Sequence, residues 1–256
     1  MKATMKMLRL GLLSFTLMNG LASLMQGKVG AQELTTDVQA ILAKNVGVYT
    51  TPPSTVGALD PSIKGYRVPD GPLMGNGDLA VAVGGTYTEQ TFYLSKSDLS
   101  HSIRGLGGLT FTFDSPVADK AKYRQEQDLC KSEIRSVLSL RQATVKMRSW
   151  TADDGNVLVT DLWAEDGTSI DISIKLWSHT NASTTQAGTE NGILWSTREI
   201  NGKIGTTAQP FSSRVALATR LLGATPACST NGKNSSTAKF TLPAGKVVRV
   251  LTVAGG

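Results

Sequence analysis

Apolar and polar residues alternate along most of this chain. In TSIDISIKLWS one set of alternate positions is apolar (Ile170, Ile172, Ile174, Leu176) and the other is polar (Ser169, Asp171, Ser173, Lys175). A period of two is typical of a strand with one buried face. Similar alternation occurs in SVLSL, TVKMRSW, NVLVTDLWA, RVALATRLL, KFTL and KVVRVLTV. The pattern therefore predicts many half-buried strands.

A helical period occurs in one short segment, TTDVQAILAKN. Thr36 can cap its start, and Val38, Ile41 and Leu42 follow at helical spacing. Turn chemistry separates the later segments, at Asp166-Gly167, Asn201-Gly202 and Pro243-Ala244-Gly245. Many strands joined by short turns indicate an all-β fold, an antiparallel sandwich with at most one short N-terminal helix.

The glycine-rich stretch GPLMGNGDLAVAVGG raises the question of nucleotide binding. Gly75, Gly77 and Ala80 satisfy a relaxed dinucleotide fingerprint, which also requires a preceding buried strand and a following helix. Here the preceding residues are turn-like and the following DLAVAVGG alternates as a strand. Asn76-Gly77 instead predicts a tight turn between two strands.

The N-terminus has the features of a secretory signal peptide. Lys2, Lys6 and Arg9 precede the apolar run 10–18, and Val29-Gly30-Ala31 offers small residues for cleavage. We therefore expect residues 1–31 to be removed, and residues 32–256 to form one secreted domain. The apolar run is too short and too interrupted to span a membrane, and no later segment is suited to do so.

Removal of residues 1–31 lowers the net charge from +6 to +2, because this segment holds four basic and no acidic residues. No run of Lys and Arg of the nucleic-acid type remains, so neither nucleic acid nor a membrane is an expected partner. The chain has two cysteines and two histidines, all widely separated, which predicts no metal site and no cofactor. The two histidines, His101 and His179, are candidates for a general base.

Three further features concern covalent chemistry. Cys130 and Cys228 permit one disulfide in an oxidising compartment, and two buried thiols are the alternative. Asn181 and Asn234 begin sequons that predict N-glycosylation on surface loops if the host is eukaryotic. No Gly-x-Ser-x-Gly motif accompanies either histidine, which argues against a serine hydrolase.

Five segments occur in an order that resembles a known family. They are PLMGNGDLAVAVGG, QTFYLSKSDLSHS, LGGLTFTF, YRQEQDLCKSEIRSVLSL and VKMRSWTADDGNVLVTDL. Together they resemble the N-terminal β-super-sandwich of family 95-like glycoside hydrolases, a group that includes α-L-fucosidases. The resemblance covers residues 66–177. Met74 stands as an insertion, Leu99-Ser100 replaces an aromatic position, and the Asn-Glu pair of fucosidases is missing, so fucose specificity is not implied.

The resemblance implies a non-catalytic domain. In the family the acid and base carboxylates lie in an (α/α)6 barrel that follows the sandwich, and the enzymes invert the anomeric centre. Here the pattern stays strand-like and ends in VVRVLTVAGG. We therefore expect a fragment that stops before a helical catalytic domain of the same chain, and no catalytic residue is carried over. Its implied role is to pack on that barrel and shape the substrate cleft.

Two groups of residues are candidates for sugar binding. Asn76 and Asp78 present an amide and a carboxylate beside a glycine turn, and a turn that only caps its own backbone is the alternative. The second group corresponds to a family turn near the active-site mouth, and a solvated loop is its alternative. It contains Ser95, Lys96, Asp98 and His101.

Tryptophans offer flat faces on which sugar rings can stack. Trp177 follows the polar register of its strand and is the candidate for an exposed ring, with core packing as its alternative, whereas Trp163 follows Val157 and Val159 and is predicted to lie in the core. Two functions follow, and a degraded, unstable product without activity is the third possibility. An exposed row of tryptophans with neighbouring Asn and Asp would indicate a stand-alone carbohydrate-binding sandwich. An exposed apolar patch would indicate the docking domain of a glycoside hydrolase.

Overall fold

The computed structural model describes residues 36–53, 55–57, 67–97, 104–165, 168–179, 184–204 and 209–256. The described residues from 41 to 256 form one compact unit, and residues 36–40 belong to another. The predicted signal peptide lies outside the described residues, as do Asp98, His101 and Asn181.

The predicted N-terminal helix is present as α1, Thr36–Lys44. Asp37 lies in its first turn and Lys44 in its last, where each charge opposes the helix dipole. Asn45 ends the helix by donating a side-chain hydrogen bond of 2.7 Å to the carbonyl of Ile41. It is the one helix among the described residues.

The remaining elements are strands, and all described strand pairs are antiparallel, which confirms the predicted all-β sandwich. The larger sheet has nine strands, in spatial order β1 Val46–Tyr49, β8 Arg124–Asp128, β9 Glu133–Ser139, β10 Thr144–Thr151, β11 Val157–Ala164, β18 Val248–Gly255, β15 Gln209–Leu222, β14 Ile193–Ile204 and β13 Thr184–Glu190. The second sheet has seven, β16 Ala227–Thr230, β17 Ser235–Leu242, β12 Ile170–Ser178, β7 Arg104–Phe113, β6 Glu89–Lys96, β5 Leu79–Gly85 and β4 Leu73–Gly75. A small third sheet pairs β2 Thr55–Gly57 with β3 Arg67–Pro69.

The two large sheets enclose one hydrophobic core. The apolar register of β12 faces inward as predicted, with Ile174 and Leu176 fully buried. Phe92 and Phe111 meet edge to face at 5.6 Å between ring centroids, a favoured aromatic geometry. Burial of such a face is the main stabilising contribution, and truncating one of these side chains to alanine typically costs about 2–5 kcal/mol.

The prediction for Trp163 is wrong. The side chains of β11 that face the core belong to the alternate register, which contains the fully buried Leu158 and Leu162. Trp163 lies opposite Lys146 on the outer face and lines a pocket of about 290 Å³. Both registers of VLVTDLWA are largely apolar, so the alternation alone could not choose between them.

Candidate functional site

The glycine-rich stretch forms the turn between β4 and β5. The backbone nitrogen of Asn76 donates to the carbonyl of Leu79 at 3.1 Å. Gly77 has a φ of +96°, in the region that favours glycine. The side-chain oxygen of Asn76 accepts from the backbone nitrogens of Asp78 and Leu79, at 3.1 and 2.8 Å. The predicted tight turn is thus present, and Asn76 organises it.

The amide nitrogen of Asn76 reaches the other sheet. It donates to the carbonyls of Ala152 and Gly155, at 3.0 and 2.9 Å, in the turn between β10 and β11. Both ends of the Asn76 side chain are therefore engaged within the protein. This arrangement supports the alternative of a structural turn over a sugar-binding amide.

Asp78 is held by three neighbouring side chains. Its carboxylate lies 2.8 Å from Nζ of Lys96, accepts from Nδ2 of Asn156 at 2.6 Å, and accepts from the hydroxyl of Ser97 at 3.2 Å. The Lys96 side chain is only 4% exposed, against 37% for Asp78. We call Asn76, Asp78, Lys96 and Asn156 the clasp, because they join the two sheets.

The clasp is unsuited to general acid catalysis. Hydrogen bonds from Lys96 and then Asn156 lower the pKa of Asp78 below its ordinary value of 3.8. A catalytic acid at a glycosidic bond needs a raised pKa, so that it carries a proton at neutral pH. Asp78 is instead ionised and already hydrogen-bonded.

The second group of sugar-binding candidates, which contains Ser95 and Lys96, does not lie on one surface. Ser95 pairs with Ala80 and Gly105 on the outer face of its sheet, whereas Lys96 is buried and directed to Asp78. A register shift lies between Leu94 and Ser95. Asp98 and His101 are outside the described residues, so their part stays a prediction.

Trp177 lies on the outer face of the seven-stranded sheet, where its register predicts it. It lies opposite Gly108, and its Nε1 donates to the hydroxyl of Thr110 at 3.1 Å. The ring of Tyr93 meets it edge to face, with 5.9 Å between centroids. Sequence reasoning missed Tyr93, although it shares the mostly polar register of β6 with Glu89 and Thr91.

The outer face of the nine-stranded sheet carries an apolar row. Val157, Val253, Ala218 and Trp195 are cross-strand neighbours on four adjacent strands. Val253 is 46% exposed, and the ring of Trp195 covers Gly188. We call these four residues the apolar stripe.

A network of ion pairs lies further along the same face. Glu133 is buried and accepts from both Arg135 and Arg148, and its hydrogen bond raises the pKa of Arg135. The guanidinium groups of Arg148 and Arg249 both lie over the Trp150 ring, at 4.9 and 5.6 Å from its centroid. Arg249 also donates two hydrogen bonds, of 2.7 and 2.8 Å, to Asp161. The carboxylates of this network are thus matched by arginines.

His179 is half-buried at the end of β12. Burial, reinforced by the nearby charge of Arg198, lowers its pKa, so the imidazole is neutral at pH 7. Its backbone nitrogen donates to the carbonyl of Leu106 at 3.2 Å. The role of general base considered for His179 stays a prediction.

The two cysteines are free thiols, each half-buried. Cys130 follows β8, near one edge of the larger sheet, and the neighbouring Gln127 bonds to the carbonyl of Leu73 in β4. Cys228 lies in β16, six strands away from β4 in the smaller sheet, or about 29 Å at about 4.8 Å a strand. A disulfide requires Cα atoms within about 7 Å. The alternatives were a disulfide and two thiols, and the structure contains two thiols.

Asn234 lies in the turn between β16 and β17, and its side-chain oxygen accepts from Nδ2 of Asn231 at 2.9 Å. Its glycosylation stays a prediction. Among the described residues, no group of three or more His, Cys, Asp or Glu could hold a metal ion. Within the same residues, no helix has the length and hydropathy needed to cross a membrane.

No protein-family model matches the chain, and no curated protein matches it. Among solved structures, a protein described as a kojibiose phosphorylase from the human microbiome matches 72% of this chain and 29% of its own, at 13% identity and a TM-score of 0.40. The GH92 family glycosyl hydrolase ccman5 matches 84% of this chain and 32% of its own, at 11% identity and a TM-score of 0.42. The chain spans about a third of the length of each. At these identities and TM-scores, the activity in either protein's name is not assigned to this chain. The resemblance to family 95 rests on the sequence motifs.

Proposed function

We propose that this chain is the non-catalytic β-sandwich domain of a secreted glycoside hydrolase. It packs on a helical catalytic domain of the same protein and shapes one rim of the cleft in which an oligo- or polysaccharide is hydrolysed. The ordered motifs of residues 66–177 support the family. The observation that carries the docking role is the apolar stripe.

The stripe has the composition of an interface centre. Outward positions of an antiparallel sheet are usually polar, yet four neighbouring strands present Val157, Val253, Ala218 and Trp195 side by side. Aliphatic and aromatic residues at the centre, with arginine nearby, are typical of protein interfaces. Arg220 supplies such a neighbour, because it lies on the same face of β15 opposite Leu251.

A groove continues the stripe. It has a volume of about 500 Å³ and is lined in part by Gln186, Thr197, Ala216 and Gly255, in the row next to the stripe. An apolar row beside a groove gives a partner domain both a contact surface and a fixed orientation. Exposed patches of this kind mark interaction sites in soluble proteins.

The first experiment is the intact mass of the native secreted protein after removal of glycans. The expected result is a mass well above that of residues 32–256, with room for a helical catalytic domain. Glycosidase activity is then expected in the native protein and absent from residues 32–256 alone. A mass equal to that of residues 32–256 would overturn the proposal.

A pair of variants tests the stripe in the native protein. Val253→Asp places a charge at the centre of the stripe, and we expect it to separate one cooperative thermal transition into two and to lower glycosidase activity. Val247→Asp is the matched control, since Val247 is 55% exposed and lies before β18, off the stripe. Equal behaviour of the two variants would contradict docking through this face.

A further inference from the structure

We propose that the outer face of the seven-stranded sheet binds a neutral oligosaccharide, with one pyranose ring stacked on Trp177. This face belongs to the sheet opposite the one that carries the apolar stripe. The proposal therefore does not depend on the docking role and would hold for the isolated domain as well.

The indole of Trp177 is fixed with one face toward the sheet. A Cβ atom on Gly108 would lie 2.5 Å from Cζ2 and 2.8 Å from Cε2 of Trp177, so the ring lies across this glycine. The bond from Nε1 to Thr110 and the edge contact with Tyr93 hold its orientation. The opposite face of the ring is directed away from the sheet. A rigid, flat and half-exposed aromatic face is what a pyranose ring stacks on.

Hydroxyl groups line the sheet beside Trp177. Thr112, Ser173 and Thr237 occupy outward positions of β7, β12 and β17, whereas the Thr110 hydroxyl is already bonded to Trp177 and Thr91. Each hydroxyl is both a donor and an acceptor, and can therefore match the hydroxyls of a sugar. The outward positions of β12 and β17 hold no aliphatic side chain, so this face differs in chemistry from the apolar stripe.

A depression of about 540 Å³ extends this surface. Its lining includes Thr112, Ser173, Lys239, Thr241 and Asp171, and its volume lies within the usual range for ligand sites, about 300–1,000 Å³. Ser173 is four residues from Trp177 on one strand, or about 13 Å at about 3.3 Å a residue. The aromatic platform and the depression together suit a chain of linked sugars better than a single one.

The charges of this face favour a neutral ligand. Lys175 and Lys239 are offset by Glu89 and Asp171, and Asp114 adds a further carboxylate at the rim. A polyanion such as a nucleic acid or a uronic acid polymer would need a surplus of positive charge. Charged side chains can still bond sugar hydroxyls, and Lys239 lies in the depression to do so.

Affinity electrophoresis of the native protein tests the proposal, in gels that contain galactomannan, xyloglucan, arabinoxylan or mixed-linkage β-glucan. Polygalacturonate serves as the anionic probe. We expect retardation by at least one neutral polysaccharide, and Trp177→Ala should weaken that binding tenfold or more. Trp163→Ala is the matched control, because Trp163 lies on the outer face of the other sheet, opposite Lys146 and outside the apolar stripe. It should bind as the wild type does.

Each outcome decides the question. Retardation by none of the neutral polysaccharides, or by polygalacturonate alone, would overturn the proposal, as would equal losses in Trp177→Ala and Trp163→Ala. If Trp177→Ala fails to fold, Lys239→Ala decides, since Lys239 is exposed. A loss of about fivefold, the value of one hydrogen bond, supports the site, and unchanged binding overturns it. Neither result alters the mass measurement or the Val253→Asp comparison, so the two proposals fail separately.

Discussion

The side-chain nitrogen of Asn156 donates a hydrogen bond of 2.6 Å to the carboxylate of Asp78, 78 residues earlier in the chain. Asp78 lies in the β4–β5 turn of one sheet and Asn156 in the β10–β11 turn of the other. The carbonyl of Asn156 also accepts from the backbone nitrogen of Ala254 in β18, at 2.9 Å. The clasp therefore ties three distant segments together at one end of the sandwich.

Replacement of Asn76 by alanine should destabilise the protein strongly. Asn76→Ala removes two donated and two accepted hydrogen bonds and leaves the carbonyls of Ala152 and Gly155 without this donor. We expect a loss of about 2–4 kcal/mol in the free energy of unfolding, measured with urea. Asn76→Asp keeps the acceptor but directs a carboxylate oxygen at two carbonyls, so at pH 7 it should cost at least as much.

Asn231→Ala is the matched control for that experiment. Asn231 precedes Gly232 and organises the β16–β17 turn by accepting from the backbone nitrogens of Lys233, Asn234 and Ser235. These bonds stay within one hairpin, so we expect a loss of only about 1 kcal/mol. Equal losses in the two alanine variants would show that the bonds between the sheets add nothing.

Asp78 should make stability depend on pH in the acid range. Its pKa in the folded protein is lowered below the ordinary 3.8, chiefly by Lys96, so folding favours the ionised carboxylate. The stabilisation is fully present above the ordinary pKa and is lost as the pH falls through the lowered one. We expect the stability difference between wild type and Asp78→Asn to be constant from pH 7 to about 5 and to shrink below about pH 4. A difference that grows on acidification would contradict the clasp.

Glu133 should contribute more to the stability of the protein than a surface carboxylate does. Its side chain is 2% exposed and accepts from Arg135 and Arg148, so Glu133→Gln leaves two guanidinium groups facing a neutral amide. We expect a loss of about 2–3 kcal/mol, below the largest values for buried pairs because both arginines remain partly hydrated. Glu165→Gln is the control, as Glu165 pairs with Lys146 at the surface. It should cost less than about 1 kcal/mol. Thermal unfolding and urea unfolding of both variants would rank the two losses of stability.

Local pattern predicted the fold class and many of the strands, but the turn predicted at Asn201-Gly202 is wrong, because both residues lie within β14 and pair with β15. The period of two in β12 predicted both the strand and its buried face, and the Asn76-Gly77 dipeptide predicted a turn. Each of these signals lies within a few residues of sequence. The register of β11 was missed because Val157 and Val159 are as apolar as Leu158 and Leu162, and burial is decided by the sheet that packs on top.

The clasp and the aromatic pair could not be predicted, because both depend on strand order. Asn76 meets Ala152 and Gly155 only because the β4–β5 and β10–β11 turns lie at the same end of the sandwich. Tyr93 meets Trp177 only because β7 lies between their strands with glycine at the crossing point. A Tyr in the polar register of a predicted strand is the one signal that sequence could have offered.

Gly108 should not tolerate a side chain, whereas Gly105, three positions earlier in the same strand, should tolerate one. In Gly108→Ala the new methyl would lie 2.5 Å from Trp177 and 2.6 Å from the backbone oxygen of Phe92, so the indole must leave the sheet and the strands must separate slightly. We expect a loss of about 1–3 kcal/mol and a red shift in tryptophan fluorescence as the ring becomes more exposed. Gly105→Ala lies on the same strand with no atom within 4 Å of the added carbon, and should leave stability and emission nearly unchanged. If Gly108→Ala matched Gly105→Ala in both measurements, the indole of Trp177 would not lie across the glycine, and the flat platform on this face would be absent.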